Sequence, residues 1–191
     1  GCSKNLVDSE VMLGHLGLGG FQMVTDPSKA EVIITNTCSF IEASKVESVD
    51  TILEMAEFKN PDNGICKALV VSGCLAQRYS SNLENELPEV DLIIGTGEYN
   101  KIVTLLKAFE EGKLDAKSHV EIPKFIHTEF DPRINTSPFY TAYLKISEGC
   151  NRNCTFCIIP TIRGRLRSRT VESLVAEATN LSKTGVRELN L

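Results

Sequence analysis

Three cysteines lie close together near the carboxyl end of the sequence. Cys150, Cys154 and Cys157 are separated by three and two residues. Because soft thiolate sulfur suits iron, three side chains at this spacing can hold three corners of a cubane 4Fe-4S cluster. The fourth iron would have no protein ligand, and such an open iron can bind and activate a small molecule. The spacing therefore predicts a cluster that does chemistry at its open corner.

Other interpretations of these cysteines are weaker. A zinc knuckle needs a fourth Cys or His nearby, and residues 141–191 hold no His and no further Cys. A bacterial ferredoxin run has a different spacing and a fourth Cys followed by Pro, which is absent here. Plain core packing rarely brings three cysteines into eight residues, so we favour the cluster.

Three other cysteines are spread along the first part of the sequence. Cys2, Cys38 and Cys74 follow one another at intervals of 36 residues, about the length of one βα unit. Cys38 and Cys74 each follow an apolar run, and parallel strands present their carboxyl ends at one edge of a sheet. The spacing predicts either convergence of three thiols there or three small buried side chains at strand ends. Cys66 precedes its strand, at the opposite edge, and is interpreted as structural.

The elements that position these cysteines follow an alternating pattern. Short runs rich in Val and Ile predict buried parallel strands at Glu31–Asn36, Ala68–Gly73 and Asp91–Thr96. Apolar residues at helical spacing predict helices at Lys4–Leu18, Ala43–Phe58 and Tyr99–Phe109. Alternation of this kind predicts an α/β fold class, with a three-layer αβα domain and a mostly parallel sheet.

The periodicity lapses from Glu111 to Pro138, which we interpret as a linker or a wrapping segment. A strand at Tyr140–Ser147, a helix at Thr170–Lys183 with Thr170 as its N-cap, and a strand at Arg187–Leu191 follow. These predict the start of a β/α barrel of TIM type, with the cysteine loop after its first strand. The predicted division is 1–112 (N-terminal domain), 113–138 (linker) and 139–191 (start of the barrel).

Composition and charge set broader limits. The 191 residues are 42% hydrophobic and 24% charged, which is the composition of a globular protein, and no apolar run reaches the ~18 residues of a membrane helix. With no leader segment either, we expect a cytoplasmic protein with reduced thiols and no membrane partner.

Local charge differs from the net charge of -5, because residues 150–169 hold five arginines and no carboxylate. Four of these arginines alternate along the sequence and would share one face of an extended segment: Arg163, Arg165, Arg167 and Arg169. They could form a solvated loop, or they could bind a carboxylate or a phosphate. His15 and His127 lie outside the cysteine motifs and are interpreted as a helix-surface residue and a linker residue, not as ligands.

These motifs together resemble a known family. Cys150-x3-Cys154-x-Phe156-Cys157 is similar to the radical S-adenosyl-L-methionine (AdoMet) signature. The stretches that resemble methylthiotransferases are Gly1-Cys2, Asn36-Thr37-Cys38, Gly73-Cys74-Leu75-Ala76-Gln77 and Arg163-Gly164 to Ser168-Arg169. Three stretches resemble the branch of this family that modifies an aspartate of a ribosomal protein: Gly1 to Glu10, Asn36 to Ile41 and Lys145 to Cys150.

The resemblance implies a function, cofactors and site residues. Two 4Fe-4S clusters are implied, one on Cys150, Cys154 and Cys157 and one on Cys2, Cys38 and Cys74, with Phe156 contributing to AdoMet binding. In this family the cluster on the Cys150 loop reductively cleaves AdoMet to a 5'-deoxyadenosyl radical that abstracts hydrogen, and the other cluster delivers sulfur that another AdoMet methylates. The implied product is a methylthio group on an aspartate β-carbon of the twelfth small-subunit ribosomal protein.

Further expectations concern the extent of the chain and its partners. The sequence begins without a first strand and stops within the barrel, so we expect a truncated piece that is inactive alone. In the family, a C-terminal domain that binds RNA or protein lies further on, and an electron donor is needed. Alternatives are a transfer-RNA adenosine methylthiotransferase, a non-catalytic iron–sulfur binding protein and a purely structural α/β protein.

Overall fold

The Val- and Ile-rich runs form the middle of a parallel sheet, because strands covered on both faces must be apolar along their whole length. The computed structural model describes residues 1–191. Four strands lie side by side in chain order: β1 (Val32–Thr37), β2 (Ala68–Gly73), β3 (Leu92–Ile94) and β4 (Ser118–His119). Neighbouring strands are parallel throughout this sheet, as the sequence predicts.

Helices cover both faces of this sheet. They are α1 (Ser3–Leu18), α2 (Glu42–Ala56), α3 (Cys74–Glu86) and α4 (Ile102–Glu110). Ala68 and Val70 of β2 pack with α1 and α4, whereas Leu69 and Val71 pack with α2 and α3. Because alternate residues of a strand point to opposite faces, one buried strand serves two cores. The predicted three-layer αβα arrangement is confirmed.

Two features of this domain differ from the sequence prediction. Helix α3 was not predicted, because its sequence has few apolar residues, and after Cys74 only Leu75, Ala76 and Leu83 of them are buried. Strand β4 lies within the segment interpreted as a linker, and it pairs with β3 at Ile93–Ser118 and Ile94–His119. A two-residue edge strand carries too little pattern to be recognised in sequence.

The second part of the chain forms a smaller βαβ unit. Strands β5 (Thr141–Tyr143) and β8 (Glu188–Asn190) are parallel and are joined through α6 (Val171–Lys183). The predicted N-cap is confirmed, since the Thr170 side chain accepts a hydrogen bond from the Ser173 backbone N–H.

The strand predicted to reach Ser147 is shorter, because β5 ends at Tyr143. Ser147 belongs instead to a small antiparallel pair, β6 (Ser147–Glu148) with β7 (Arg167–Ser168). Between these two strands lie the cysteine loop and the short helix α5 (Ile159–Arg163).

The segment between the two parts wraps around the protein. Arg133 pairs with Glu10 of α1 at 2.7 Å and with Glu177 of α6 at 2.6 Å. Gly14 of α1 lies so close to Pro132 that any side chain there would overlap the Pro132 carbonyl. Of the two interpretations of this segment, wrapping is the one that the structure shows. None of the helices has the length and apolar character to cross a membrane.

Candidate metal centres

The first cysteine set along the chain, which is Cys2, Cys38 and Cys74, comes together at the carboxyl edge of the large sheet. Thr37 and Gly73 are paired neighbours in β1 and β2, so Cys38 and Cys74 leave the sheet side by side. Cys2 is the N-cap residue of α1. The Asn5 amide donates to the Thr37 carbonyl at 3.1 Å, which fixes the start of α1 to the end of β1. The structure thus brings the three predicted cysteines to one edge.

A glycine makes the turn at Cys74 possible. Gly73 has φ +94°, and a Cβ there would overlap Asn36 Oδ1 and the Thr37 carbonyl. Glycine alone adopts this conformation at little cost, so the chain can pass directly from β2 into α3. Cys74 is consequently held at the first position of the helix, 9% exposed.

The second set lies in the loop between β6 and α5. The Cys150 N–H donates to the Gly164 carbonyl at 3.1 Å, and the Cys157 N–H donates to the Cys154 carbonyl at 3.1 Å. Gly149 has φ +79°, so this set also has a positive-φ glycine before its first cysteine. Cys150 and Cys157 are half-buried and Cys154 is exposed, so the loop is open to a ligand.

A single buried arginine lies between the two sets. Arg163 is 3% exposed and closes α5, six residues after Cys157. Its Nη2 donates to Cys74 Sγ at 3.3 Å and to Asn5 Oδ1 at 3.0 Å. The second cysteine loop is therefore connected to the first set through one side chain.

Carboxylates neutralise this arginine. Arg163 Nη1 donates to Asp8 Oδ2 at 2.6 Å and to Glu148 Oε2 at 3.2 Å. Lys145 pairs with the same two carboxylates, and its Nζ lies 5.5 Å from the centre of the Tyr99 ring. Two cations and two anions are thus buried together, which offsets the cost of removing each from water.

The charges of this group shift the pKa values within it. Burial alone would raise the pKa of Asp8, but Lys145 and Arg163 outweigh that effect and lower it. Burial would lower the pKa of Arg163, and Asp8, Cys74 and Glu148 instead raise it. Both side chains are therefore charged at neutral pH, and the contact to Cys74 comes from a permanent cation.

The Cys74 thiol responds to both its burial and its neighbours. Burial raises the pKa of Cys74, the Arg163 charge and hydrogen bond oppose that rise, and the nearby Cys2 and Cys38 thiols add to it. An influence of neighbouring thiols on the pKa of Cys74 is expected only of groups that lie close to it.

The donors of both sets fit an iron–sulfur cluster by their chemistry. All seven cysteines are free thiols. No three His, Cys, Asp or Glu side chains are grouped tightly enough to hold a single metal ion. A cubane is larger than one ion and bonds a sulfur at each separate corner, so its ligands stand further apart than those of zinc. Three free thiols around an open edge suit the larger group.

Other residues named from the sequence have different surroundings. Phe156 is 91% exposed beside Cys157, and its role in AdoMet binding stays a prediction. Cys66 is buried in the core before β2, where its Sγ donates to the Ala68 carbonyl at 3.4 Å. His15 lies 3.4 Å from Asp131, and His127 is buried 3.5 Å from Glu177.

The alternating arginines do not share one face, so that expectation is wrong. Arg163 ends a helix and is buried, and Arg169 is 8% exposed, where it pairs with Glu177 of α6. Arg165 is exposed and Arg167 half-buried. A solvated loop is wrong for the two buried arginines, which bind carboxylates of the protein itself.

Three polar residues at the first set were missed in the sequence. Asn5 and Asp8 lie on α1 at helical spacing, three residues apart, and Arg163 follows the cysteine loop. Charged residues on a helix are usually solvated, so nothing in the pattern indicated burial.

The comparisons with known proteins cover the stretches that hold both cysteine sets. Residues 1–95 match the uncharacterized protein family UPF0004, and residues 144–191 match the Radical SAM superfamily. The chain is 49% identical to a ribosomal protein uS12 methylthiotransferase RimO from Syntrophotalea carbinolica and 54% identical to one from Myxococcus xanthus. Both alignments cover the whole chain, and 41% and 39% of those relatives.

A third relative gives a similar result. The protein of the same name from Clostridioides difficile is 50% identical over 190 residues, which is 99% of this chain and 42% of that protein. The chain therefore spans about two fifths of the length of the relatives that it matches. With matches to both family profiles and identity near one half along its whole length, the chain belongs to the radical AdoMet methylthiotransferase family.

Proposed function

We propose that this chain carries the cofactor-binding part of an enzyme that adds a methylthio group to the β-carbon of an aspartate in ribosomal protein uS12. The relatives are named for methylthiolation of that protein, and none of those reported above is named for transfer RNA. The chain covers about two fifths of them, so the activity is proposed for the full-length protein.

One observation carries the proposal. Six cysteines form two sets that approach each other across Arg163, which ends the helix after one set and contacts Cys74 of the other. An enzyme that generates a radical at one centre and transfers sulfur from another needs both centres near one substrate. We keep the division into residues 1–112, 113–138 and 139–191 as part of the proposal.

The proposed ligands fall into two sets of three cysteines. Cys150, Cys154 and Cys157 would hold the cluster with an open iron, and Cys2, Cys38 and Cys74 would hold the other. When bound, these clusters supply the electron that cleaves AdoMet and the sulfur that is transferred. Exposed Phe156 would contribute an apolar surface for AdoMet next to the open loop.

The protein's own residues orient this chemistry. The Cys150 amide is tied to the Gly164 carbonyl, which keeps the loop folded over α5. The buried Asp8, Lys145 and Glu148 hold Arg163 in place, so the two sets keep one separation while a substrate binds. Rigid positioning of this kind is the main contribution of a protein to cofactor chemistry.

The experiment compares two single substitutions in the full-length protein after anaerobic reconstitution with iron and sulfide. We expect Cys150→Ala to abolish AdoMet cleavage, and Cys38→Ala to leave cleavage intact but stop sulfur insertion. Iron counts on the two triple-cysteine variants should each show one cluster fewer than wild type. Deoxyadenosine formation by the Cys150 variant would contradict the assignment, and clusters without AdoMet cleavage in wild type would indicate a non-catalytic iron–sulfur protein.

A further inference from the structure

Arg163 makes contacts on two sides, and only one of them is needed for charge balance. Its Nη1 serves the carboxylates of Asp8 and Glu148, while its Nη2 faces Asn5 and Cys74. A lysine could satisfy the carboxylates. The planar fork of an arginine is needed to reach the sulfur at the same time.

The position of Arg163 is fixed by the second cysteine loop. Helix α5 begins at Ile159, directly after Cys157 and Ile158, and Arg163 is its last residue. The next residue, Gly164, accepts the hydrogen bond from the Cys150 amide. The guanidinium that touches the first set is therefore anchored at both ends of the loop that carries the second set.

The two sets differ in what contacts their sulfur atoms. Cys74 Sγ receives a charged donor at 3.3 Å inside the protein. Cys150 Sγ receives the neutral backbone N–H of Arg152 at 3.4 Å, in an exposed loop. Donors to ligand sulfur and nearby positive charge stabilise the reduced, more negative state of a cluster, and they do so most strongly where water is excluded.

We propose that Arg163 is a positioning residue that donates to the Cys74 ligand, raises the reduction potential of the cluster on Cys2, Cys38 and Cys74, and holds that cluster at a fixed distance from the Cys150 loop. This inference rests on the proposed function, because it needs a cluster at the first cysteine set. It assigns to one side chain the link between the two centres.

The test is a redox titration followed by electron paramagnetic resonance. The full-length protein is reconstituted in a background of Cys150→Ala, Cys154→Ala and Cys157→Ala, so that only the first cluster contributes. Arg163→Lys keeps a cation for Asp8 and Glu148 but loses the fork to Cys74. We expect Arg163→Lys to lower the midpoint potential. At the midpoint potential of the protein that keeps Arg163, the ratio of reduced to oxidised cluster should fall about tenfold, which corresponds to about 59 mV for a one-electron couple.

Arg165→Lys is the matched control, since Arg165 lies exposed two residues after Arg163 and its substitution should leave the midpoint unchanged. A midpoint that is also unchanged in Arg163→Lys, with normal cluster content, would overturn the inference and leave the proposed function standing. A protein that takes up no cluster on Cys2, Cys38 and Cys74 would instead overturn the proposed function.

A second measurement needs no substitution at position 163. With arginine labelled with nitrogen-15, pulsed paramagnetic resonance of the reduced first cluster should show a nitrogen coupling, because Nη2 lies 3.3 Å from a ligand sulfur. The coupling supports the contact even where Arg163→Lys fails to fold. Its absence in a protein with a full first cluster would refute the contact.

Discussion

The two cysteine sets are built in opposite ways. Cys150, Cys154 and Cys157 lie in one loop between β6 and α5, so their proximity follows from the covalent chain. Cys2, Cys38 and Cys74 come from α1 and the ends of β1 and β2, so they meet only when the sheet has formed. The arrangement of Cys2, Cys38 and Cys74 depends on tertiary structure, and that of Cys150, Cys154 and Cys157 depends mainly on local spacing.

This difference has a consequence for the order of assembly. A site made from one loop can gather its ligands with little loss of chain entropy, whereas a site made from distant segments needs the fold first. Arg163 connects the two, because it is fixed beside the local set and contacts the non-local one. Changes to the fold should therefore affect Cys2, Cys38 and Cys74 before they affect the loop.

The largest expected effect comes from Asp8→Ala. It removes a carboxylate shared by buried Lys145 and Arg163 and leaves two cations facing Glu148. Breaking a buried ion pair from one side costs about 3–5 kcal/mol of unfolding free energy. Urea unfolding of the apoprotein measures the change, and Asp50→Ala on the exposed side of α2 should stay within about 0.5 kcal/mol. Equal effects of the two substitutions would show that the buried group does not hold the non-local site together.

Acid should weaken the contact between the two halves by a similar amount. Burial raises the pKa of Glu177, but hydrogen bonds and charges from His127 and Arg169 outweigh it and lower the pKa to about 2. A carboxyl with a lowered pKa stabilises the fold above its ordinary value near 4.5, and this stabilisation is lost as the pH falls toward 2. The shift corresponds to about 3 kcal/mol.

Glu177→Gln is the variant that tests this dependence. The apoprotein should lose unfolding free energy between pH 5 and pH 3, and the variant should lose less over the same range, as followed by urea unfolding with circular dichroism. The titration of Asp8, whose pKa is also lowered, acts in the same direction and persists in the variant. An equal pH dependence in the two proteins would show that Glu177 does not stabilise this contact.

The sequence predicted those parts of the fold that repeat a pattern. Ala68–Gly73 is a strand with the predicted bounds, because every residue of it is buried and all but Ser72 lack a polar side chain. The meeting of Cys38 and Cys74 followed from the rule that parallel strands end at one edge. The helix after Cys74 was missed because its apolar residues are sparse, with a non-helical Tyr79 in the middle.

The part of the site that sequence could not predict is its buried charge. Arg163 pairs with Asp8, which lies 155 residues earlier in the sequence, and Lys145 pairs with the same carboxylate from 137 residues away. No periodic pattern in the sequence indicates such a pair, because charged residues of both kinds are normally exposed to solvent. Only the packing of α1 against the start of the second part decides that they are buried.

The smallest expected effect compares the two glycines that precede a cysteine. Alanine at Gly73 or at Gly149 would have to adopt a positive φ and would overlap neighbouring backbone carbonyl oxygens, so each should cost about 1–3 kcal/mol. Gly20→Ala is the control, since its φ of +91° has open space around it and isolates the conformational cost of about 1–2 kcal/mol. In reconstituted full-length protein, Gly73→Ala should lower the iron held by Cys2, Cys38 and Cys74, and Gly149→Ala should lower the iron held by the loop.

The non-local set has less room to adjust, because α3 starts directly at Cys74 and the sheet fixes that start. We therefore expect Gly73→Ala to lose more iron than Gly149→Ala. The reverse order would mean that the exposed loop is the more rigid of the two sites.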